Sequence, residues 1–385
     1  MKTLKIAVNL GLVCLLVWFL VSHKQKIQAG ASQRDSTAYW MAGKLLVHRQ
    51  NPYSAPSYAP GVPIRTPPWS VWMDLPLGLL SVYWAWVAWL AILLASLVIS
   101  MRISWRIYGD GPRPPNVFLL AGYLFAPVAA CLVAGQLGIV LLLGMVLFFL
   151  LEEDHPFLAG AALLIPLAKP HIFALVWAVL ALWIVARKRW PLLGGLAAAF
   201  LIANLIAVAF DPAIFQHYRE MLKPQALQHE VIPRIQHEFI PTLSGTIRAL
   251  FFQRFFWVQF VPTGLGLLWS VWYYWKHQRT WSWRGDGPAL LVVAVLTAPY
   301  SWITDEAVLL PAILQGVLWV HRAKLRVRSQ LVIILFVCLD LLLLLIMRAQ
   351  VPPATGIYFW STLVWFSWYW YARGFSQPAN EEVQE

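Results

Sequence analysis

Charge is what this chain has least of. Only 12% of its 385 residues are Asp, Glu, Lys or Arg, against 60% hydrophobic residues. A water-soluble domain of that length could not bury so much apolar surface, so the composition implies a polytopic membrane protein. Cysteine is sparse as well. Cys14, Cys131 and Cys338 each sit inside an apolar run, without disulfide or metal-ligand spacing. No phosphate-binding glycine loop and no strand-linked glycine fingerprint occurs, so no motif marks a nucleotide-binding domain. The formal charge of +12 would suit nucleic acid in a soluble protein. In a membrane protein it reports topology first, and no nucleic-acid partner is expected.

What the chain has is apolar segments with aromatic or basic ends. They lie at about 5–22, 76–100, 117–134, 136–151, 157–168, 171–186, 190–210, 255–275, 287–300, 305–320, 330–348 and 357–372. A crossing needs about 20 residues, so 157–168 and 287–300 are short and imply tilt, breaks or irregular backbone. The expectation is an all-α polytopic bundle of about 12 transmembrane helices. The first segment reads as an uncleaved span, because the charged stretch His23–Lys26 separates it from the small residues Ala29–Ala31.

With the N-terminus placed in the cytoplasm, the short inner links collect basic residues: 101–116, "ARKRW", "KHQRTWSWRGD" and "HRAKLRVRSQ". The outer basic residues are mostly spread over two long segments, 23–68 and 211–254. Bias in short links is what orients a membrane protein, and the acidic "EEDH" at 152–155 carries little weight. This predicts one membrane domain, 1–372, in a plasma membrane, with both termini cytoplasmic and a polar tail at 373–385. It puts "AGQLG", "AKPH" and "PYSWITDE" on the extracytoplasmic face. The inner face has only short links, so chemistry belongs outside, on a substrate delivered through the membrane.

One polar stretch stands out near the start, "RDSTAYWMAGKLLVHRQNPY" at 34–53. Tyr39, Ala42 and Leu46 fall on one helical face, and Lys44, His48 and Arg49 lie toward the C-terminal end, where cations suit the helix dipole. The pattern predicts a short amphipathic helix at the membrane surface with Asp35 as its N-cap. A carboxylate fixed at a helix start is also pre-oriented, so Asp35 is equally a candidate for catalysis. The prolines from Pro52 to Pro68 then make a stiff extended path, before Trp69 and Trp72 mark re-entry at the interface. That path reads as a rigid surface loop or as one wall of a substrate groove.

Lys169, in "LLIPLAKPHIFALVW", is flanked by apolar segments, where an ammonium is costly unless paired or facing a polar cavity. His171 follows, and Pro170 prevents a continuous helix. The pair suits an anionic head group such as a phosphate; otherwise Lys169 snorkels from a helix end. Asp305 and Glu306, in "TAPYSWITDEAVLLP", suit a metal, a sugar hydroxyl or the capping of the next helix. Asp340 is deeper, in "FVCLDLLLLLIM", and implies a basic partner on another span. His217, His229 and His237 lack zinc-ligand spacing and read as solvated loop residues.

In order, these pieces resemble the family-87 glycosyltransferases, membrane enzymes of the GT-C class. Asp35, Tyr39, Ala42 and Asn51-Pro52-Tyr53 resemble the family's first-loop pattern. Pro67-Pro68 leading to Pro76-Leu77 is similar to its "YPP" and "PL" landmark. "AGQLGIVLLLG" resembles its glycine–glutamine motif at Gly135-Gln136, "LAKPH" its lysine–proline element at Lys169-Pro170, and "APYSWITDEAVLLPA" its serine–tryptophan element at Ser301-Trp302. The resemblance covers roughly residues 35–315. There are two departures. Thr66 stands where the "YPP" tyrosine is expected. "ITDEA" stands where many members carry a histidine, so either Asp305 takes that place or the role is absent.

The resemblance implies a GT-C-like bundle and a polyprenyl phosphate sugar as donor, often mannose and sometimes arabinose. It implies a lipid or glycan acceptor, and an acid in the first outer loop as catalytic base, here Asp35. Physical chemistry fits that placement. An inverting transfer needs a carboxylate to take the acceptor's proton and cationic donors on the departing phosphate. Lys169 and His171 are the expected phosphate-binding residues; Tyr39, Asn51, Tyr53, Gln136, Ser301 and Asp305 are expected around the substrate pocket. No cofactor is required, no metal ligands are assigned, and no motif decides whether a divalent metal takes part. The alternative is a secondary transporter or lipid flippase, which would also carry deep charges and broken spans. Against it, no internal repeat relates the two halves, and the polar mass lies in two unequal outer segments.

Overall fold

The computed structural model describes residues 35–54, 64–223, 241–252, 254–323, 327–349 and 360–376. The first apolar segment, residues 55–63 of the proline-rich path, His229, His237 and the end of the tail lie outside the described residues. All regular structure among the described residues is helical. Helix α1 (Ser36–Val47) is followed by 3-10 turns at Pro52–Ser54 and Pro68–Met73 and by one α-turn at Leu75–Gly78. Then come α2 (Val82–Tyr108), α3 (Asn116–Tyr123), α4 (Ala126–Ala134), α5 (Gly138–Leu151) and α6 (Pro156–Ala162). After them run α7 (Ala174–Arg187), α8 (Trp190–Phe210), α9 (Ile214–Met221), α10 (Leu243–Phe251) and α11 (Val261–His277). The chain ends with α12 (Trp283–Thr297), α13 (Leu310–Arg322), α14 (Val327–Arg348) and α15 (Ser361–Arg373).

Among the described residues, every apolar segment from 76–100 onward overlaps one of these helices or a broken pair. Among the described residues, 5 stretches are long and apolar enough to cross a membrane: Val82–Tyr108, Pro170–Arg187, Trp190–Phe210, Ile303–Arg322 and Arg328–Arg348. The count rises to 6 if α3 and α4, bent by 41°, form one span. By that measure the structure supplies fewer crossings than the expected number of about 12, because several segments are short or interrupted. Proline is the cause at three of the breaks. Pro127 lies at the start of α4, Pro166 starts a 3-10 turn after α6, and Pro170 starts another before α7.

The Ile303–Arg322 stretch is central, with 94% of its apolar window buried, against 22% to 44% for the other four. Those others turn apolar side chains outward, among them Leu201 and Leu205 on α8 and Leu331 and Leu345 on α14. Outward apolar faces of this extent are what lipid tails cover. Asp340 on α14 is buried, and among the described residues it meets no basic side chain. Its Oδ1 accepts the Ala126 N–H of α4 at 2.8 Å, satisfying a helix N-terminus exposed by the bend.

The links expected on the inner face come together at one end. Arg284 meets Glu153 at 2.8 Å, Arg322 meets Asp110 at 2.6 Å, and Arg187 donates to the Gln278 carbonyl at 2.7 Å. At the other end sits α1. It is not laid on a surface by one apolar stripe: Ser36, Thr37, Tyr39, Met41, Ala42, Gly43 and Leu46 are all buried, around most of its circumference. Gly43 and Gly78 allow its backbone to touch the Leu75–Gly78 turn. A Cβ on Gly43 would lie 2.0 Å from the Asp74 carbonyl oxygen.

Candidate active site

Asp35 precedes α1, yet its side chain makes no capping bond. It is committed elsewhere. The Asp35 N–H donates to the Ala134 carbonyl at 3.1 Å, and its Oδ2 accepts Gln136 Nε2 at 2.6 Å. The turn after α4 makes this possible. Gly135 has φ +72, a left-handed conformation that ends the helix and points Gln136 back toward α1. A Cβ there would lie 2.8 Å from Ser36 Cβ, so only glycine lets the two segments close. Trp89 Nε1 fixes the turn by donating to the Gly135 carbonyl at 2.7 Å. Tyr39, one turn along α1 from Asp35, donates its hydroxyl to Gln136 Oε1 at 2.9 Å.

Burial raises the Asp35 carboxyl above its ordinary value. The Gln136 hydrogen bond and the nearby Lys169 charge pull it back, and the Asp305 charge pushes it up again. The Tyr39 phenol is raised well above its ordinary value by burial and by the charges of Asp35, Asp74 and Asp305. It is therefore a donor throughout the physiological range.

Lys169 sits between the two proline-initiated 3-10 turns. It does not snorkel. Its Nζ meets Asp305 Oδ1 at 2.6 Å, and Asp305 is wholly buried. The other carboxylate oxygen of Asp305 accepts the Trp302 N–H at 3.0 Å, so this acid ties the lysine to the serine–tryptophan segment. Asp305 and Glu306 do not form a carboxylate pair: Glu306 accepts Trp365 Nε1 at 3.1 Å and the Ser361 hydroxyl. Among the described residues no group of three or more His, Cys, Asp or Glu side chains is placed to hold a metal.

Asp35, Tyr39, Gln136, Lys169 and His171 all line one cavity of about 210 Å³. In sequence they are more than 130 residues apart at the extremes; in space they share one wall system. Among the described residues His171 Nε2, buried there, has no hydrogen-bond partner, and its ring lies 6.2 Å from that of Tyr300. The remaining expected residues stand behind the wall. Asn51 accepts the Tyr53 N–H at 2.8 Å in a local turn, and Tyr53 donates to the Thr66 carbonyl at 3.0 Å. Ser301 is buried and donates to the Trp302 carbonyl.

Sequence reasoning missed Arg65, Tyr218 and Tyr300, which line the same cavity. Arg65 and Tyr218 belong to the two long outer segments, and neither the loop around Arg65 nor the helix α9 that carries Tyr218 shows in sequence that it faces the cavity. His217, on α9, is not a solvated loop residue: it meets Asp211 Oδ2 at 2.7 Å.

The sequence profile described as glycosyltransferase family 87 matches residues 66–344, which include Gln136, Lys169, His171 and Asp305; Asp35 lies before the matched stretch. No curated protein sequence matches. Among solved structures, ArnT from Cupriavidus metallidurans in the apo state is similar over 98% of this chain and 78% of its own, at 13% identity and a TM-score of 0.37.

Proposed function

This chain belongs to glycosyltransferase family 87, and from that premise we propose an inverting transferase that uses a polyprenyl phosphate sugar. The sugar is a hexose, mannose in the first instance, or a pentose such as arabinose; the acceptor is a lipid or glycan. The reaction takes place at the extracytoplasmic face of a plasma membrane, in a single bundle of about 12 crossings with cytoplasmic termini. The gathering of the inner links at the end away from the cavity supports the shorter helices as crossings.

One observation carries the reading: a carboxylate, Asp35, and two nitrogen bases, Lys169 and His171, line the same cavity from separate elements. Asp35 takes the proton of the acceptor hydroxyl as that oxygen bonds to the sugar's anomeric carbon. The bond from that carbon to the phosphate oxygen breaks, its electron pair stays on the phosphate, and configuration inverts. Negative charge then grows on the departing polyprenyl phosphate, where Lys169, His171 and Arg65 act. Asp305 holds Lys169 in place and neutralises it in the resting state, and Arg65 adds a guanidinium that suits phosphate geometry. Asn51, Tyr53 and Ser301 shape the wall from behind. Because burial raises Asp35, transfer falls on the acid side as its carboxylate is protonated.

The test is transfer from a panel of labelled polyprenyl phosphate sugars, mannose and arabinose first, by purified protein in lipid vesicles with a membrane glycolipid fraction as acceptor. Label appearing in the glycolipid with inverted linkage supports the reading. Retained configuration, or transport of the lipid without transfer, would defeat it.

A further inference from the structure

Three contacts hold Asp35, and only one reaches its carboxylate. The Asp35 N–H is bound by Ala134, Ser36 rests on Gly135, and Gln136 Nε2 donates to Oδ2. An ionised carboxylate can only accept, so it must face the NH₂ end of the Gln136 amide. That leaves the carbonyl end of the amide facing Tyr39, whose hydroxyl donates to it. The chain of bonds has one polarity, from Tyr39 through Gln136 to Asp35. Among the described residues Oδ1 of Asp35 accepts no hydrogen bond, and the residue lines the cavity.

We infer that Gln136 is a positioning residue: oriented by Tyr39, its amide holds Oδ2 of Asp35 and presents Oδ1 to the acceptor hydroxyl. The inference rests on the reading of Asp35 as the base. It gives Gln136 a role beyond the substrate contact expected from sequence, because each end of its amide already makes a hydrogen bond within the protein.

The charged and titratable groups around Asp35 are few. Tyr39 faces it from α1, Lys169 from the proline-broken stretch before α7, and Asp305 from the turn before α13; Arg65 and His171 line the same cavity. Only Gln136 donates a hydrogen bond to the carboxylate among the described residues. Removing it leaves a desolvated anion with one stabilising contact fewer, which favours the protonated form.

The experiment is an infrared pH titration of the full chain in lipid, with the Asp35 carboxyl band isolated by difference against Asp35→Asn. Gln136→Leu should raise the Asp35 pKa by about one unit or more, tenfold in proton affinity. Tyr39→Phe should move it the same way by less, because the amide stays but loses its orientation. In transfer from polyprenyl phosphate mannose, the acid limb of kcat/KM should shift with the infrared value while KM changes little. An unmoved Asp35 pKa in folded Gln136→Leu, or a loss of transfer equal at every pH, would overturn the inference. If Gln136→Leu does not fold, Tyr39→Phe, which deletes one oxygen, decides alone. The two readings fail separately. Transfer by Asp35→Asn would remove the base, whereas an unmoved pKa with an inactive Asp35→Asn would remove only the role of Gln136.

Discussion

Lys169 Nζ and Asp305 Oδ1 lie 2.6 Å apart, with the acid wholly buried and the lysine nearly so. The pair joins two segments separated by 136 positions in the chain and anchors Lys169, which lines the cavity. Removing one member of such a buried pair leaves an uncompensated charge, whereas replacing both with apolar groups does not. Asp305→Ala should therefore lower stability by about 3–5 kcal/mol, read as the unfolding midpoint in detergent. Lys169→Met with Asp305→Leu should recover most of that loss and still fail to transfer sugar.

Gly135→Ala tests the turn that aims Gln136 and receives Asp35. The left-handed backbone costs a non-glycine residue about 1–2 kcal/mol, and the added Cβ meets Ser36. Transfer should fall at least tenfold, with a lowered unfolding midpoint. Gly111→Ala is the control, since nothing lies within 4 Å of a Cβ there, and its transfer rate should equal that of the wild type.

Asp340 serves the bend between α3 and α4 rather than an ion pair. Asp340→Leu should cost about 1–3 kcal/mol, because the Ala126 N–H is left buried without an acceptor. Asp340→Asn keeps an acceptor and should cost less. Thermal unfolding of both variants side by side would show the order; equal losses would contradict the capping role.

Glu152, at the end of the molecule away from the cavity, is buried, and burial raises its carboxyl from 4.5 to about 7. Neighbouring Glu153 adds to the rise, and Arg189 and Arg284 oppose it. The folded protein thus holds a proton that the unfolded chain releases. Its contribution to stability is complete below pH 4.5 and is lost as pH rises through about 7. Glu152→Gln should have a higher unfolding midpoint than the wild type at pH 8 and should flatten the fall between pH 5 and 8. A parallel pH dependence in both proteins would contradict this.

The helical segments were legible because apolar runs with aromatic and basic ends leave little choice in lipid, and the break at Pro170 was legible too. Five of the expected site residues meet in one cavity. The partners were not legible. An Asp before a helix reads as a cap, yet Gln136, 101 positions away, takes the Asp35 carboxylate instead. Lys169 announced that it needed compensation, but nothing local pointed to Asp305. Asn51 and Ser301 satisfy themselves on nearby backbone, as short polar side chains do in turns. Arg65 and Tyr218 enter the site only through the folding of the long outer segments, where nothing local shows which polar side chain will face the cavity.

The most direct test of the account is transfer by wild type and Asp35→Asn, side by side, in lipid vesicles carrying radiolabelled polyprenyl phosphate mannose and a membrane glycolipid fraction. If Asp35 is the base, the wild type transfers and Asp35→Asn loses about 100-fold or more, with donor binding and unfolding midpoint preserved. Equal transfer by the two proteins would contradict it.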